Sequence, residues 1–207
     1  TQFAGPLFAR GMSDEAKRQA VISQHVQLKL AGTAYIEWGA RGDDGVEAYE
    51  NMHVICGHGY VHAPWSTYKV DIGQGLDKVW RGFESRARNM VRKAEKNGIV
   101  VRALVPTAVD VESYYNMLTQ TFRQQGKQPA HPLVFFQAIC THLIPAGLLQ
   151  FIIAEKGGRV IAGSLFLCRG ERMVYLSGTS TEEGARLAAN SLIQWVAMQR
   201  AAERGIV

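Results

Sequence analysis

The stretch YLSGTSTEEGARLAANSLIQWVAMQRAAERGI, residues 175–206, decides the fold class of this chain. It begins with β-prone residues, passes through a short polar loop, and continues as a long run with apolar residues at helical spacing. The pattern predicts a strand over residues 173–177 and a helix over residues 186–204, which Gly205 ends. The side chains expected to pack this helix on a sheet are Leu187, Leu192, Trp195 and Val196.

Two more strands are predicted immediately before this stretch. Residues 149–155 and 160–168 are rich in apolar and β-branched side chains. The turns between the strands, at 156–158 and 169–171, are short enough for hairpins. The three strands therefore predict an antiparallel meander.

Further elements precede the meander. A strand is predicted over residues 99–105 and helices over 109–125 and 131–144, the second of which Pro145 ends. Residues 206–207 look like the beginning of another strand, so we expect the chain to continue beyond this sequence. The predicted fold class is α+β, with a mixed, largely antiparallel sheet flanked by helices.

Positive charge is concentrated in one predicted helix, residues 76–97, which Gly98 ends. The formal net charge of the chain is +5, and residues 81–96 hold six basic residues against two acidic ones. Four of the basic residues form one stripe at helical spacing: Arg81, Arg88, Arg92 and Lys96. An opposing apolar stripe consists of Phe83, Ala87, Val91 and Ala94. The basic stripe predicts either a phosphate-bearing partner or a solvated helix face.

The first 75 residues form a separate part of the chain. Ser13 is a plausible N-cap for a helix over residues 14–31. A strand is predicted over residues 33–38 and two further short strands within 50–72.

Composition excludes several classes of protein. Hydrophobic residues make up 47% of the chain and charged residues 20%, the balance of a globular protein. No apolar run approaches the roughly 20 residues that span a bilayer, and residues 1–10 lack the pattern of a signal peptide. Three widely spaced cysteines among apolar neighbours predict buried free thiols and a cytoplasmic location: Cys56, Cys140 and Cys168.

Three histidines invite a metal-site interpretation: His53, His58 and His62. They lie in a stretch rich in Gly and Pro, with no cysteine or acidic residue placed to complete a coordination shell. No metal site is therefore expected.

The predicted order of elements from residue 99 onward is that of the GNAT acyltransferase core. Residues 80–98, WRGFESRARNMVRKAEKNG, resemble the segment of Fem-type transferases in which a basic helix ending RKAxKxG leads into the first strand. Residues 175–206 resemble their strand–loop–helix, and FAGPLF at residues 3–8 is also similar. The chain thus resembles the GNAT-fold superfamily, in its Fem-like (FemAB-type) branch.

This resemblance implies two GNAT-like halves in a chain truncated at both ends. Residues 1–75 would be the C-terminal part of the first half, and residues 76–207 the second domain, incomplete at its C-terminus. The implied function is an N-acyltransferase that moves an acyl or aminoacyl group, without a metal, from acyl-CoA or aminoacyl-tRNA. The acceptor would be an amine, either a small molecule or a cell-wall precursor.

A donor site is expected at the start of the long helix, where unpaired N–H groups and the helix dipole suit pyrophosphate. GNAT enzymes that use acyl-CoA carry R/Q-x-x-G-x-G/A there, and the matching stretch is RLAANS, residues 186–191. The resemblance assigns Arg186, Ala189, Asn190 and Ser191 to donor binding, and the basic stripe adds Arg88 and Arg92 as phosphate-binding candidates. Because Ala189 replaces a glycine and its methyl group could obstruct a phosphate, an ordinary amphipathic helix remains the alternative.

Acyl transfer requires a base for the amine and a donor for the oxyanion. The resemblance implies that a backbone N–H within residues 173–178 is the oxyanion donor. Candidates for the base are Glu155, Tyr175 and His131. The alternative to an enzyme is a nucleic-acid- or partner-binding module on a degenerate GNAT fold, although no aromatic residues interleave the basic stripe.

Overall fold

The computed structural model describes residues 11–32 and 68–206, which fall into two units divided between Tyr68 and Lys69. The first unit contains α1 (Asp14–Leu30), where Ser13 Oγ accepts a hydrogen bond of 3.2 Å from the Ala16 N–H. This helix and its cap confirm the sequence prediction. The predicted strand at 33–38, most of 50–72, the three histidines and Cys56 lie outside the described residues.

The second unit alternates paired helices with strands. Its elements are α2 (Leu76–Gly82), α3 (Ser85–Lys96), β1 (Val100–Leu104), α4 (Ala108–Gln124), α5 (Leu133–Leu143), β2 (Leu149–Lys156), β3 (Arg159–Arg169), β4 (Arg172–Ser180), α6 (Glu182–Arg186) and α7 (Ala189–Glu203).

The four strands form one antiparallel sheet in the order β1-β2-β3-β4. Ile152 of β2 pairs with Ser164 of β3, which pairs in turn with Gly178 of β4. The register shifts between Leu165 and Phe166, which pair with residues 177 and 175, so the strand opposite bulges there. The predicted meander is confirmed.

Helices cover both faces of the sheet. One core lies between the sheet and the pair α3 and α7, and it contains Val91, Ile152 and Ile193. The other lies under α4 and α5 and contains Tyr114, Phe136 and Leu165. Burying each large aliphatic or aromatic side chain contributes about 1.5–3 kcal/mol, so these two layers supply most of the stability.

The predicted single helix over residues 76–97 is wrong, because the chain breaks into α2 and α3. Phe83 and Glu84 adopt extended backbone angles, with ψ of 143° and 149°. The Arg88 guanidinium donates to the main-chain carbonyl oxygens of Arg81 and Phe83, which closes the end of α2. The break separates Arg81 from the stripe on α3. It also leaves Ala87 exposed, outside the apolar stripe predicted for it.

The predicted helix over residues 186–204 also breaks, into α6 and α7. Ala188 has a φ of 60°, the left-handed conformation, between Arg186 and Ala189. Leu187 and Leu192 are buried, and Trp195 and Val196 are packed against the same core, as expected. Ile206 is buried but not part of a strand, and residue 207 is not described.

Candidate functional site

The N-terminus of α7 lies where the chain turns back onto the sheet. Ser191 and Leu192 donate their N–H groups to the Ala188 carbonyl oxygen, at 3.0 Å and 3.4 Å. α7 packs on β2, β3 and β4. The helix therefore begins abruptly after a left-handed residue, with its first N–H groups free of intrahelical partners.

The four residues predicted at this end occupy different environments. Ala189 is wholly buried in the core, so its methyl group lies away from any ligand at the open end. Asn190 and Ser191 are half-buried, and Arg186 is exposed. The Oδ1 atom of Asn190 is buried and lacks a hydrogen-bond partner among the described residues. These residues are neighbours in sequence and lie on either side of the break between α6 and α7.

The acidic residues of α6, next to the N-terminus of α7, make ion pairs and a hydrogen bond. Glu183 forms ion pairs with Arg159 and, at 3.9 Å, with Lys156. Glu182 lies within 3.5 Å of Gln124 Nε2. The two ion pairs of Glu183 partly neutralise the negative charge that would oppose an anionic ligand.

β4 is the edge strand of the described sheet, hydrogen-bonded to β3 on one side. Its side chains alternate between the α7 face and the α4 face. Tyr175 and Gly178 lie on the α7 face, where Tyr175 contacts the ring of Phe166 edge-on at 5.7 Å. The main-chain N–H and C=O groups along the outer edge of β4 therefore lie next to the sheet face that α7 covers.

Tyr175 is half exposed, and its hydroxyl group reaches back toward the main chain of Gly178. Burial raises the pKa of Tyr175 above its ordinary value. A phenol with a raised pKa stays protonated at neutral pH, so it suits hydrogen-bond donation better than proton abstraction.

Four hydroxyl groups join the other face of β4 to α4. Tyr114 donates to Ser177 Oγ at 2.8 Å, and the hydroxyl groups of Thr121 and Thr179 lie 2.8 Å apart. Burial raises the pKa of Tyr114 well above the usual range. These bonded pairs fix the spacing between α4 and β4, which makes this face structural.

Glu155 lies at the end of β2 in a bidentate ion pair. Arg102 Nε and Nη2 donate to its two carboxylate oxygens, at 3.1 Å and 2.7 Å. The hydrogen bonds from Arg102 lower the pKa of Glu155. A carboxylate stabilised in its charged form is a weak base, and the structure does not bring it together with Tyr175.

His131 lies just before α5, half-buried and stacked on Phe135 with ring centroids 4.1 Å apart. This stacking anchors the start of the helix. The structure does not bring His131 together with Tyr175 or Glu155.

The basic residues of α3 divide into two groups. Arg88 holds the corner between α2 and α3, and Arg92 lies 5.6 Å from the centre of the Trp80 ring. Trp80 itself contacts Trp195 of α7 at 4.8 Å. A second set is exposed and spaced along one face of α3: Arg86, Lys93 and Lys96.

Other predictions concern cysteines, metals and membranes. Cys140 and Cys168 are buried free thiols, as expected, and burial raises the pKa of Cys140 to about 11. Within residues 11–32 and 68–206, no group of three or more metal-ligating side chains could hold an ion. No helix in those ranges is long and apolar enough to cross a membrane.

Two residues beside Tyr175 were not among the sequence-based candidates: Ser164, whose buried Oγ has no hydrogen-bond partner among the described residues, and Gly178, which pairs with it. In the sequence, Ser164 is one polar residue in an apolar strand, and Gly178 resembles a loop residue. A polar residue within such a strand was the available signal, since buried hydroxyl groups require partners.

Comparisons with known proteins agree with this architecture. Residues 81–207 match the family model described as "Acetyltransferase (GNAT) domain". The chain is similar to the crystal structure of FemX, with a TM-score of 0.62, 16% sequence identity and 93% of this chain covered. The match spans 66% of the FemX chain. No curated protein matches the sequence.

Proposed function

The chain belongs to the GNAT acetyltransferase family, and on that premise we propose that it is an N-acyltransferase that moves an acyl group from acyl-CoA to an amine. The observation that carries the proposal is the N-terminus of α7, which begins abruptly after Ala188 beside edge strand β4. A helix N-terminus presents N–H groups and a positive dipole end, which suit a pyrophosphate.

Four residues would form the donor site. Asn190 would offer its N–H group and side chain to the pyrophosphate, Ser191 would offer its hydroxyl group, and exposed Arg186 would add a positive charge. Ala189 would not contact the donor itself. Its buried side chain would fix the position of the N-terminus of α7. The acyl chain would then lie along the outer edge of β4, where main-chain N–H groups can meet its carbonyl oxygen.

The reaction requires that the attacking amine lose a proton. Among Tyr175, Glu155 and His131, we favour Tyr175 as a group near the reacting atoms, because it lies on β4 on the face covered by α7. Because its pKa is raised, Tyr175 would donate a hydrogen bond to the oxyanion rather than act as the base. Solvent or the departing CoA thiolate would then take the proton of the amine.

Aminoacyl-tRNA is the second candidate donor. The exposed cations Arg86, Lys93 and Lys96 on α3 favour it, since such a stripe can follow a phosphate backbone. Arg88 and Arg92 would contribute less to phosphate binding than these three residues, because both already make contacts within the fold. The fold-level likeness to FemX is compatible with either donor.

The acceptor is proposed to be an amine on a small molecule or a cell-wall precursor, and the location to be cytoplasmic. The buried free thiols Cys140 and Cys168 accord with a reducing compartment.

The test is an acyl-transfer assay with the full chain, acetyl-CoA and a panel of amines that includes a peptide with a free lysine amine. Thiol release and the mass of each acceptor are followed together. Release of CoA with an acceptor gain of one acetyl group supports the proposal. Absence of turnover with acyl-CoA, together with transfer from charged tRNA, would replace it with the second candidate. Absence of both would leave the binding-module alternative.

A further inference from the structure

We propose that the hydroxyl groups of Ser164 and Tyr175, which approach each other beside Gly178, together bind the carbonyl oxygen of the group being transferred. This inference rests on the proposed acyl-transfer function and adds a side-chain oxyanion site to it.

Ser164 is the first observation. Ser164 lies in the centre of β3 and is only 1% exposed. Its Oγ nevertheless has no hydrogen-bond partner among the described residues. Leaving a buried hydroxyl group unpaired is unfavourable, so such a group calls for an explanation. A ligand atom that accepts its proton would supply one.

Gly178 is the second observation. It pairs with Ser164 across β3 and β4. A Cβ atom at Gly178 would lie 2.4 Å from the Tyr175 hydroxyl oxygen and 2.6 Å from Ser164 Oγ. No side chain fits there unless both hydroxyl groups move, so the two depend on glycine at this position.

The same geometry limits the distance between the two hydroxyl oxygens. Because they lie 2.4 Å and 2.6 Å from the Cβ position of Gly178, they are at most about 5 Å apart. One ligand oxygen can therefore lie within hydrogen-bonding distance of both. Tyr175 is 49% exposed while Ser164 is 1% exposed, so a carbonyl group would approach the pair from the Tyr175 side.

The two hydroxyl groups lie in the layer used by the proposed donor site. Ser164 and Gly178 lie on the sheet face that α7 covers, together with Phe166, which contacts Tyr175. The hydroxyl groups on the opposite face, Tyr114 and Ser177, are already bonded to each other. On the α7 face, by contrast, the Ser164 hydroxyl group has no hydrogen-bond partner among the described residues.

The chemical step balances without another reactant. The amine nitrogen attacks the acyl carbon, and the carbonyl π pair moves onto oxygen, which accepts hydrogen bonds from Ser164 and Tyr175. The oxyanion then collapses and the bond to the CoA sulfur breaks. The amine proton leaves with the thiolate, so the products are an amide and free CoA.

The test compares steady-state acetyl transfer by the full chain and its variants, with acetyl-CoA and the acceptor found in the amine panel. Ser164→Ala and Tyr175→Phe should each lower kcat by about 100-fold, the usual loss for one oxyanion donor, with little change in KM. Ser164→Cys, of similar size but a weak donor, should stay close to Ser164→Ala. Gly178→Ala should lower kcat as well, because its methyl group displaces both hydroxyl groups.

Thr119→Val is the matched control. Thr119 Oγ1 is also buried without a partner among the described residues, but it lies on α4, in the opposite layer. Its kcat should equal that of wild type. Tyr175→Phe keeps a half-exposed ring in place, so its fold should survive even if Gly178→Ala unfolds.

The outcomes separate the two proposals. A wild-type chain that transfers no acetyl group overturns the proposed function, and this inference with it. An active wild type with unchanged kcat in Ser164→Ala and Tyr175→Phe overturns the inference alone. A rise in KM at constant kcat would also overturn it, since that pattern reports ground-state binding.

Discussion

The Arg88 guanidinium donates a hydrogen bond to the main-chain carbonyl oxygen of Phe83 across the corner between α2 and α3. A second bond, of 3.1 Å, reaches the Arg81 carbonyl oxygen. These carbonyl groups end α2 and would otherwise lack partners. The side chain that the sequence suggested for phosphate binding therefore also holds two helices at a fixed angle.

Arg88→Ala should destabilise the fold. Two charge-assisted bonds to helix-terminal carbonyl groups are lost, so the free energy of unfolding should fall by about 1–3 kcal/mol. Urea denaturation followed by circular dichroism measures this. Arg86→Ala, at an exposed position two residues earlier on α3, should change stability by no more than about 0.5 kcal/mol. Equal stability of the two variants would contradict the structural role.

Ser191→Glu should weaken acyl-CoA use. The added carboxylate would stand at the N-terminus of α7 and repel a pyrophosphate there, so KM for acetyl-CoA should rise about tenfold or more, or 1.4 kcal/mol of binding. The helix itself should not lose stability, because a negative charge suits its N-terminus. Gln194→Glu adds the same charge further along α7, and its KM should change much less. Matching KM values would argue against a donor phosphate at this end.

Ala188→Val should be strongly destabilising. The φ of 60° at this residue is unfavourable for a β-branched side chain, and the site is only 8% exposed. The expected loss is about 2 kcal/mol. Ala185→Val, at an exposed position of α6, should lose less than about 0.7 kcal/mol through helix propensity alone. Thermal unfolding of both variants distinguishes the cases, and a tolerated valine at 188 would mean that the helix break relaxes.

The ion pair of Glu155 should make stability depend on pH. Its pKa is lowered in the folded state, so the pair stabilises the fold above the ordinary pKa of 4.5 and this contribution disappears as pH falls through the lowered value. Because Arg102 is 47% exposed, the effect should not exceed about 1 kcal/mol.

Glu155→Gln therefore should be less stable than wild type at pH 7 and should approach it near pH 3. Glu112→Gln, at an exposed position of α4, serves as the control and should show no such convergence. The same Glu155 variant should retain acyl transfer. Its loss at neutral pH, with the fold intact, would restore Glu155 as the base.

The exposed face of α3 can be tested by salt titration against a tRNA. If Arg86 and Lys93 contact phosphates, the double alanine variant should bind more weakly, and its log–log salt slope should be shallower by about 0.7–0.9 for each contact. The Arg88→Ala/Arg92→Ala variant is the comparison, since those side chains make contacts within the fold. Identical slopes in wild type and both variants would leave α3 as a solvated surface.

The sequence by itself determined the order of elements and the layers of the second unit. Apolar and β-branched content together with short turns predicted β2, β3 and β4, and apolar spacing predicted the side of α7 that meets the sheet. These signals are local, because strand period, helix period and turn chemistry are each set by neighbouring residues. The GNAT-type core and its likeness to FemX followed from that order.

Only the tertiary structure decided where helices break and which side chains meet. Helical spacing gave no sign of the corner at Phe83, because its stabilising bonds come from Arg88 in the next helix. No local pattern indicated that Glu155 is paired with Arg102, which lies 53 residues away in sequence. Ser164 and Tyr175 likewise approach each other only through the register of β3 on β4 and the missing side chain of Gly178. Contacts between distant residues depend on strand register and packing, which local propensity does not encode.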